Sequence, residues 1–78
     1  MATHVVNAGY GVWNKTMNVT SQIQDAYANH GERNFTADNR FGDPAPGQRK
    51  YLYIFWNDGT NTASGVVGEN DATGINLP

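Results

Sequence analysis

The sequence predicts a mainly β fold: a small β-sandwich-like domain of about five or six strands with one short α-helix. Three observations predict it. In residues 50–56, Leu52, Ile54 and Trp56 alternate with Tyr51, Tyr53 and Phe55, the period of two that belongs to a strand. Nine glycines among many Asn and Thr, with few Lys or Glu, suit a β-rich surface better than a helical bundle. Helical spacing occurs in one place only, at Ile23, Ala26 and Tyr27.

Residues 3–11 are rich in β-branched side chains and end in Gly9-Tyr10-Gly11, a first strand running into a bend. Residues 12–19 read as a second strand, with Val12 and Trp13 at one end and Met17 and Val19 at the other. A helix follows over residues 21–29, capped by Thr20 or Ser21 and stopped by Asn29-His30-Gly31, and its apolar face belongs to the core. Phe35 and Ala37 alternate with polar residues in a short strand. From 39 to 48 the chain is a stiff loop, because Pro44 and Pro46 fix their own φ and extend the residue before each, with Gly42 and Gly47 as pivots. The strand at 50–56 then reaches Asn57-Asp58-Gly59, a hairpin turn. Residues 60–69 return as its antiparallel partner, weakened by Gly65 and Gly68, and a turn at 70–74 leads to a last strand at 75–77. Since both sides of 50–56 are apolar, the strand is expected at the centre of a sheet covered twice, by the helix and by a second sheet or another subunit.

Seventy-eight residues make one domain, 1–78, and a chain of this size buries only about 60% of its unfolded surface. It has no cysteine, so disulfides and Cys/His zinc clusters are excluded as staples. A small core combined with many rings therefore predicts a symmetric homo-oligomer, a dimer in the simplest case. A net charge of −2 with scattered Lys15, Arg33, Arg40, Arg49 and Lys50 argues against nucleic acid. No apolar run is long enough to span a bilayer, and the first residues show no recognisable signal peptide, so a soluble, cytoplasmic protein with no membrane partner is expected. Asn14-Lys15-Thr16, Asn18-Val19-Thr20 and Asn34-Phe35-Thr36 match the glycosylation pattern, which recurs by chance in an Asn/Thr-rich chain.

Tyr10-Gly11, the Asn18-Val19-Thr20 opening of a helix, Gly42-Asp43-Pro44-Ala45-Pro46-Gly47 with Lys50, Leu52 and Ile54, Gly68-Glu69, and the closing Ile75-Asn76-Leu77-Pro78 together carry a resemblance. They resemble a small domain of unknown function at the carboxyl end of mitochondrial J-domain co-chaperones, the DnaJ-like subfamily C member 11 group. The resemblance covers nearly the whole chain, and its most specific part is the Asp-Pro loop with the Lys-x-Leu-x-Ile strand. Asn18 stands where that group has an acidic residue, and there is no J domain, so the resemblance implies a fold and no chaperone role.

Catalysis has little support in the residues: His4 and His30 lie in separate elements, and Ser21 and Ser64 have no nucleophile-elbow context. Asp38 and Asp43 flank the stiff loop, and Asp43 ahead of Pro44 is best read as accepting local amide hydrogens. Asp58, Glu69, Asn70 and Asp71 offer calcium-type oxygens, but EF-hand spacing is absent, so no metal and no cofactor are assigned. The rings carry the functional reading. Aromatic faces stack on the C–H face of a sugar while Asn, Asp and backbone groups bond its hydroxyls. A non-enzymatic, lectin-like glycan-binding surface is expected from Trp13, Asn39, Arg40, Asp43, Tyr51 and Tyr53, with the prolines holding the loop so that little entropy is lost on binding. The alternative is a protein-interaction or homo-oligomeric assembly module whose rings meet another chain.

Overall fold

The computed structural model describes residues 3–78. Along the chain come β1 (His4–Val12), β2 (Lys15–Asn18), α1 (Thr20–His30), β3 (Asn34–Phe35), a 3-10 turn (Asn39–Phe41), β4 (Tyr51–Asn57), β5 (Thr62–Gly68) and β6 (Ile75–Asn76). The fold is mainly β, as the sequence predicts. β2, β1, β4 and β5 form a four-stranded antiparallel sheet in that order, and β3 pairs with β6 in a separate two-stranded sheet. β4 is thus an interior strand, flanked by β1 and β5.

Register decides which side chains share a face. Ile54 lies opposite Ala8 and Gly65, and Leu52 opposite Tyr10 and Val67. These residues, with Val5 and Trp56, point to the core, where Tyr10, Leu52 and Ile54 are wholly buried. α1 covers this side through Ile23, and the small sheet covers it through Phe35 and Ile75. A Cβ on Gly65 would meet Ile75 Cγ2 at 2.8 Å, so the small sheet sits directly on β5 there. Each fully buried Leu or Ile contributes about 1.5–3 kcal/mol, and a slip of one residue would turn the whole set outward, which fixes the register.

Three sequence expectations are corrected. Val12 belongs to β1 and pairs with Lys15, so Trp13 and Asn14 form the hairpin turn instead of opening the second strand. Neither Thr20 nor Ser21 caps α1. Val19 holds the cap position with no side-chain bond, while the Thr20 hydroxyl accepts from the Ala8 N–H at 3.0 Å and donates to Asn18 Oδ1 at 2.6 Å. Thr20 therefore ties the helix to β1, and Asn18 Oδ1 takes over the local role by accepting the Thr20 N–H at 3.0 Å. The helix stops as expected, at Gly31 in the left-handed region with φ 69.

The third correction concerns the second sheet. α1, the small sheet and the loop after β3 all cross the same side of the large sheet, so no second sheet covers the other side, which is bare among the described residues. Tyr51 and Phe55 are exposed there and Tyr53 is half-buried.

Candidate functional site

The loop between the 3-10 turn and β4 is built around Lys50. Its position two residues before Leu52 aims the side chain at the core side, and only 3% of the residue is exposed. A buried ammonium needs acceptors. Four oxygens surround it: Asp43 Oδ1 at 2.9 Å, Glu69 Oε1 at 3.1 Å, and the carbonyls of Gln48 at 2.9 Å and Ala45 at 3.2 Å. Glu69 Oε1 also accepts the Lys50 main-chain N–H at 2.7 Å, which holds its carboxyl below the usual range, with the Lys50 ammonium adding to the effect. Hydrogen bonding to Asp43 raises the Lys50 ammonium above its ordinary value against the opposing effect of burial. Lys50 is accordingly a fixed cation and a poor nucleophile or general base.

Tyr10 closes the other end of this cluster. Its hydroxyl donates to Asn39 Oδ1 at 2.9 Å, and its ring packs on Phe41 with centroids 5.5 Å apart. Burial raises the Tyr10 phenol, and the nearby Glu69 carboxylate adds to the shift. Asp38 accepts the Arg40 N–H at 3.0 Å and so caps the 3-10 turn. At Gly42, φ is 113 and a Cβ would lie 2.9 Å from Met17 Sδ, so the turn seats closely on β2.

The bare face is chemically different. Tyr53 and Phe55 meet edge-on at 5.9 Å, and the Arg49 guanidinium lies 5.2 Å from the Tyr51 ring centre. Val66, in register with Tyr53, is 69% exposed. Gly9, in register with Tyr53 on the other side, leaves the space that the ring occupies. The result is an apolar strip along β4 and β5.

The six residues expected to form one site are thus divided. Asn39 and Asp43 lie with the core-side loop, Asn39 bonded to Tyr10 and Asp43 to Lys50. The partner of Asp43 is an ammonium and not the local amides expected from the sequence. Arg40 pairs with Glu32 at 3.2 Å and lies over the Phe41 ring at 4.8 Å. Tyr51 and Tyr53 project from the opposite side of the sheet, because odd-numbered residues of β4 alternate with the core-facing even ones. Trp13 stands alone at the β1–β2 turn, 97% exposed and with φ 37. The loop and the rings therefore do not converge.

The calcium-type oxygens are also committed locally: Asp58 accepts the N–H groups of Thr60 and Asn61, Asp71 accepts that of Thr73, and Glu69 holds Lys50. Among the described residues no group of three or more His, Asp or Glu is placed to hold a metal ion, and no helix is long and apolar enough to cross a membrane. Lys50 is the residue the sequence reading passed over. A lysine in phase with Leu52, Ile54 and Trp56 is the signal that could have found it, since that phase puts its amine among core residues.

Comparison with protein-family models, curated proteins and solved structures finds no match to this chain.

Proposed function

We propose that this domain is a non-enzymatic assembly module in which a second copy of the chain covers part of the bare aromatic face. The observation that carries the reading is the row Tyr51, Tyr53 and Phe55 on the interior strand β4, with Val66 beside it on β5, a face that no other element covers among the described residues. Rings of this kind give large contact area at low entropic cost, and each 100 Å² of apolar surface removed from water contributes about 2.5 kcal/mol. The rest of the chain supports it: the core is small, no cysteine staples it, and β4 holds the rings rigidly.

The lectin-like reading loses the loop half of its site, because Asn39 and Asp43 are already bonded within the fold. It retains Tyr51, Tyr53 and the exposed Trp13. The residues that carry the resemblance to the co-chaperone carboxyl-terminal domain include Asp43, Lys50 and Glu69, which here meet at one ammonium. We take that resemblance as a shared way of holding the loop.

Light scattering across micromolar concentrations tests the assembly reading. The expected result is a dimer of the 8.5 kDa chain that weakens in Phe55→Ser. A monomer throughout, or a dimer indifferent to Phe55→Ser and Tyr51→Ser, overturns it. Quenching of Trp13 fluorescence by a monosaccharide, with the chain monomeric, would favour the sugar reading instead.

A further inference from the structure

The edges of the large sheet differ. β2 has four residues and carries Lys15, two features that discourage pairing with another strand. β5 has seven residues, Thr-Ala-Ser-Gly-Val-Val-Gly, with no charge and no proline, and among the described residues only β4 pairs with it. The direction of its main-chain groups can be read from the bonds just beyond each end. The Glu69 N–H donates to the Lys50 carbonyl at 2.8 Å, and the Asp58 N–H donates to the Asn61 carbonyl at 3.1 Å. Odd-numbered residues therefore turn their N–H and C=O groups to β4, and Thr62, Ser64 and Val66 turn theirs outward. The free edge ends at Gly68, whose carbonyl already accepts the Asp71 N–H at 3.2 Å.

We infer that two copies of the chain dock edge to edge, through antiparallel β5–β5 pairing on a two-fold axis at Ser64. The inference rests on the self-assembly proposed above and specifies its geometry. Unpaired N–H and C=O groups in an alternating row select an extended strand, and this row selects itself. Ser64 is the middle of the outward-facing residues, so a two-fold axis there sets Ser64 opposite the partner's Ser64 and Thr62 opposite the partner's Val66. Each facing pair exchanges two main-chain hydrogen bonds. No charges meet across the seam, and the small Ser64 side chains leave room on the axis. Phe55 is in register with Ser64, so a Phe55 ring flanks the axis on each side and can fold over it. The bare faces of the two copies then run together as one.

Ser64→Pro tests this directly, since it removes an N–H that β4 does not use and proline is tolerated on an edge. In the variant the dimer is expected to be lost while the circular dichroism of the fold is kept. Thr62→Lys provides a second route, placing a charge at the seam on an exposed position of the strand. Amide exchange in the wild type gives a third: the Ser64 and Val66 hydrogens should exchange fast in dilute monomer and slow as dimer forms. A dimer that survives both substitutions but is lost in Phe55→Ser overturns the edge geometry and leaves the face reading standing. A dimer lost in Ser64→Pro and Thr62→Lys but indifferent to Phe55→Ser keeps the edge and overturns the face. A wild-type chain that stays monomeric overturns both.

Discussion

The ring of Tyr53 lies over the Cα of Gly9, so close that a methyl group on Gly9 would meet the ring's Cζ at 2.5 Å. The two residues are paired across β1 and β4 and share the bare face, so the glycine makes room for the ring and the ring shields the strand that the glycine weakens. A double-mutant cycle should show this coupling. Gly9→Ala is expected to destabilise the wild type, because the ring must swing away. In a Tyr53→Ala background the same change should stabilise by about 0.5–1 kcal/mol, the usual gain of alanine over glycine inside a strand. Urea denaturation of the four proteins measures both values, and an effect of the same sign in both backgrounds refutes the pairing.

The Lys50 cluster predicts how stability depends on pH. Glu69, Asp58 and Asp71 have folded values below their ordinary 4.5, 3.8 and 3.8, so their contribution is complete above those values and is lost as pH falls through the folded ones. Lys50 and Tyr10 are raised above their ordinary 10.5 and 10.0. Their contribution is complete below those values and is lost as pH rises through the folded ones. Thermal melts should therefore show a plateau bounded by loss on the acid side below pH 4.5 and on the alkaline side above pH 10.0. Lys50→Met leaves two carboxylates facing one another without a cation. It should melt well below the wild type at neutral pH and recover part of the difference as the pH falls towards 4.5 and Glu69, no longer held by the ammonium, takes up a proton. A constant difference across that range would show that the carboxylates do not depend on Lys50.

Gly65 marks the place where the small sheet rests on the large one. Its missing side chain admits Ile75, whose Cγ2 would be 2.8 Å from an added Cβ. Gly65→Ala should cost about 1–3 kcal/mol through overpacking. The loss should appear first as faster amide exchange at Leu77, whose N–H bonds to the Arg33 carbonyl at 2.8 Å beside the β3–β6 pair. Unchanged exchange there would mean that Ile75 repacks freely.

These relationships also show what the sequence could and could not reveal. The alternation in β4 and the helix with its glycine stop are local, and each was legible from neighbouring residues. Which side of β4 is buried was not, because Leu52, Ile54 and Trp56 are no more apolar as a row than a strand flanked by two covering layers requires on both sides. The deciding information lies in β1, where Ala8 and Tyr10 face the core opposite Ile54 and Leu52 while Gly9 and Gly11 accompany Tyr53 and Tyr51. That comparison needs the register, a long-range property. The candidate site residues are separated for the same reason: Asp43 and Tyr53 sit on either side of a sheet, and only the Lys50 ammonium, shared with Glu69 just beyond the β4–β5 pair, shows that Asp43 is engaged.

Trp13 offers the last test, since it is costly where it stands. The first residue of a two-residue hairpin turn favours glycine or asparagine when φ is positive, and a residue with a Cβ in the left-handed region loses roughly 1–2 kcal/mol. Trp13 has φ 37 and is 97% exposed, so no burial offsets that cost. Trp13→Gly should raise stability by about 1 kcal/mol in urea denaturation, with the β1–β2 hairpin intact. If the ring is there for contact, the same substitution should weaken whatever the exposed tip binds, so stability and binding move in opposite directions. Calorimetric titration with the monosaccharide, on the wild type and on Trp13→Gly, reads that second half without relying on the Trp13 signal. A loss of stability in Trp13→Gly would mean that the ring packs on the fold and would remove Trp13 from the sugar reading.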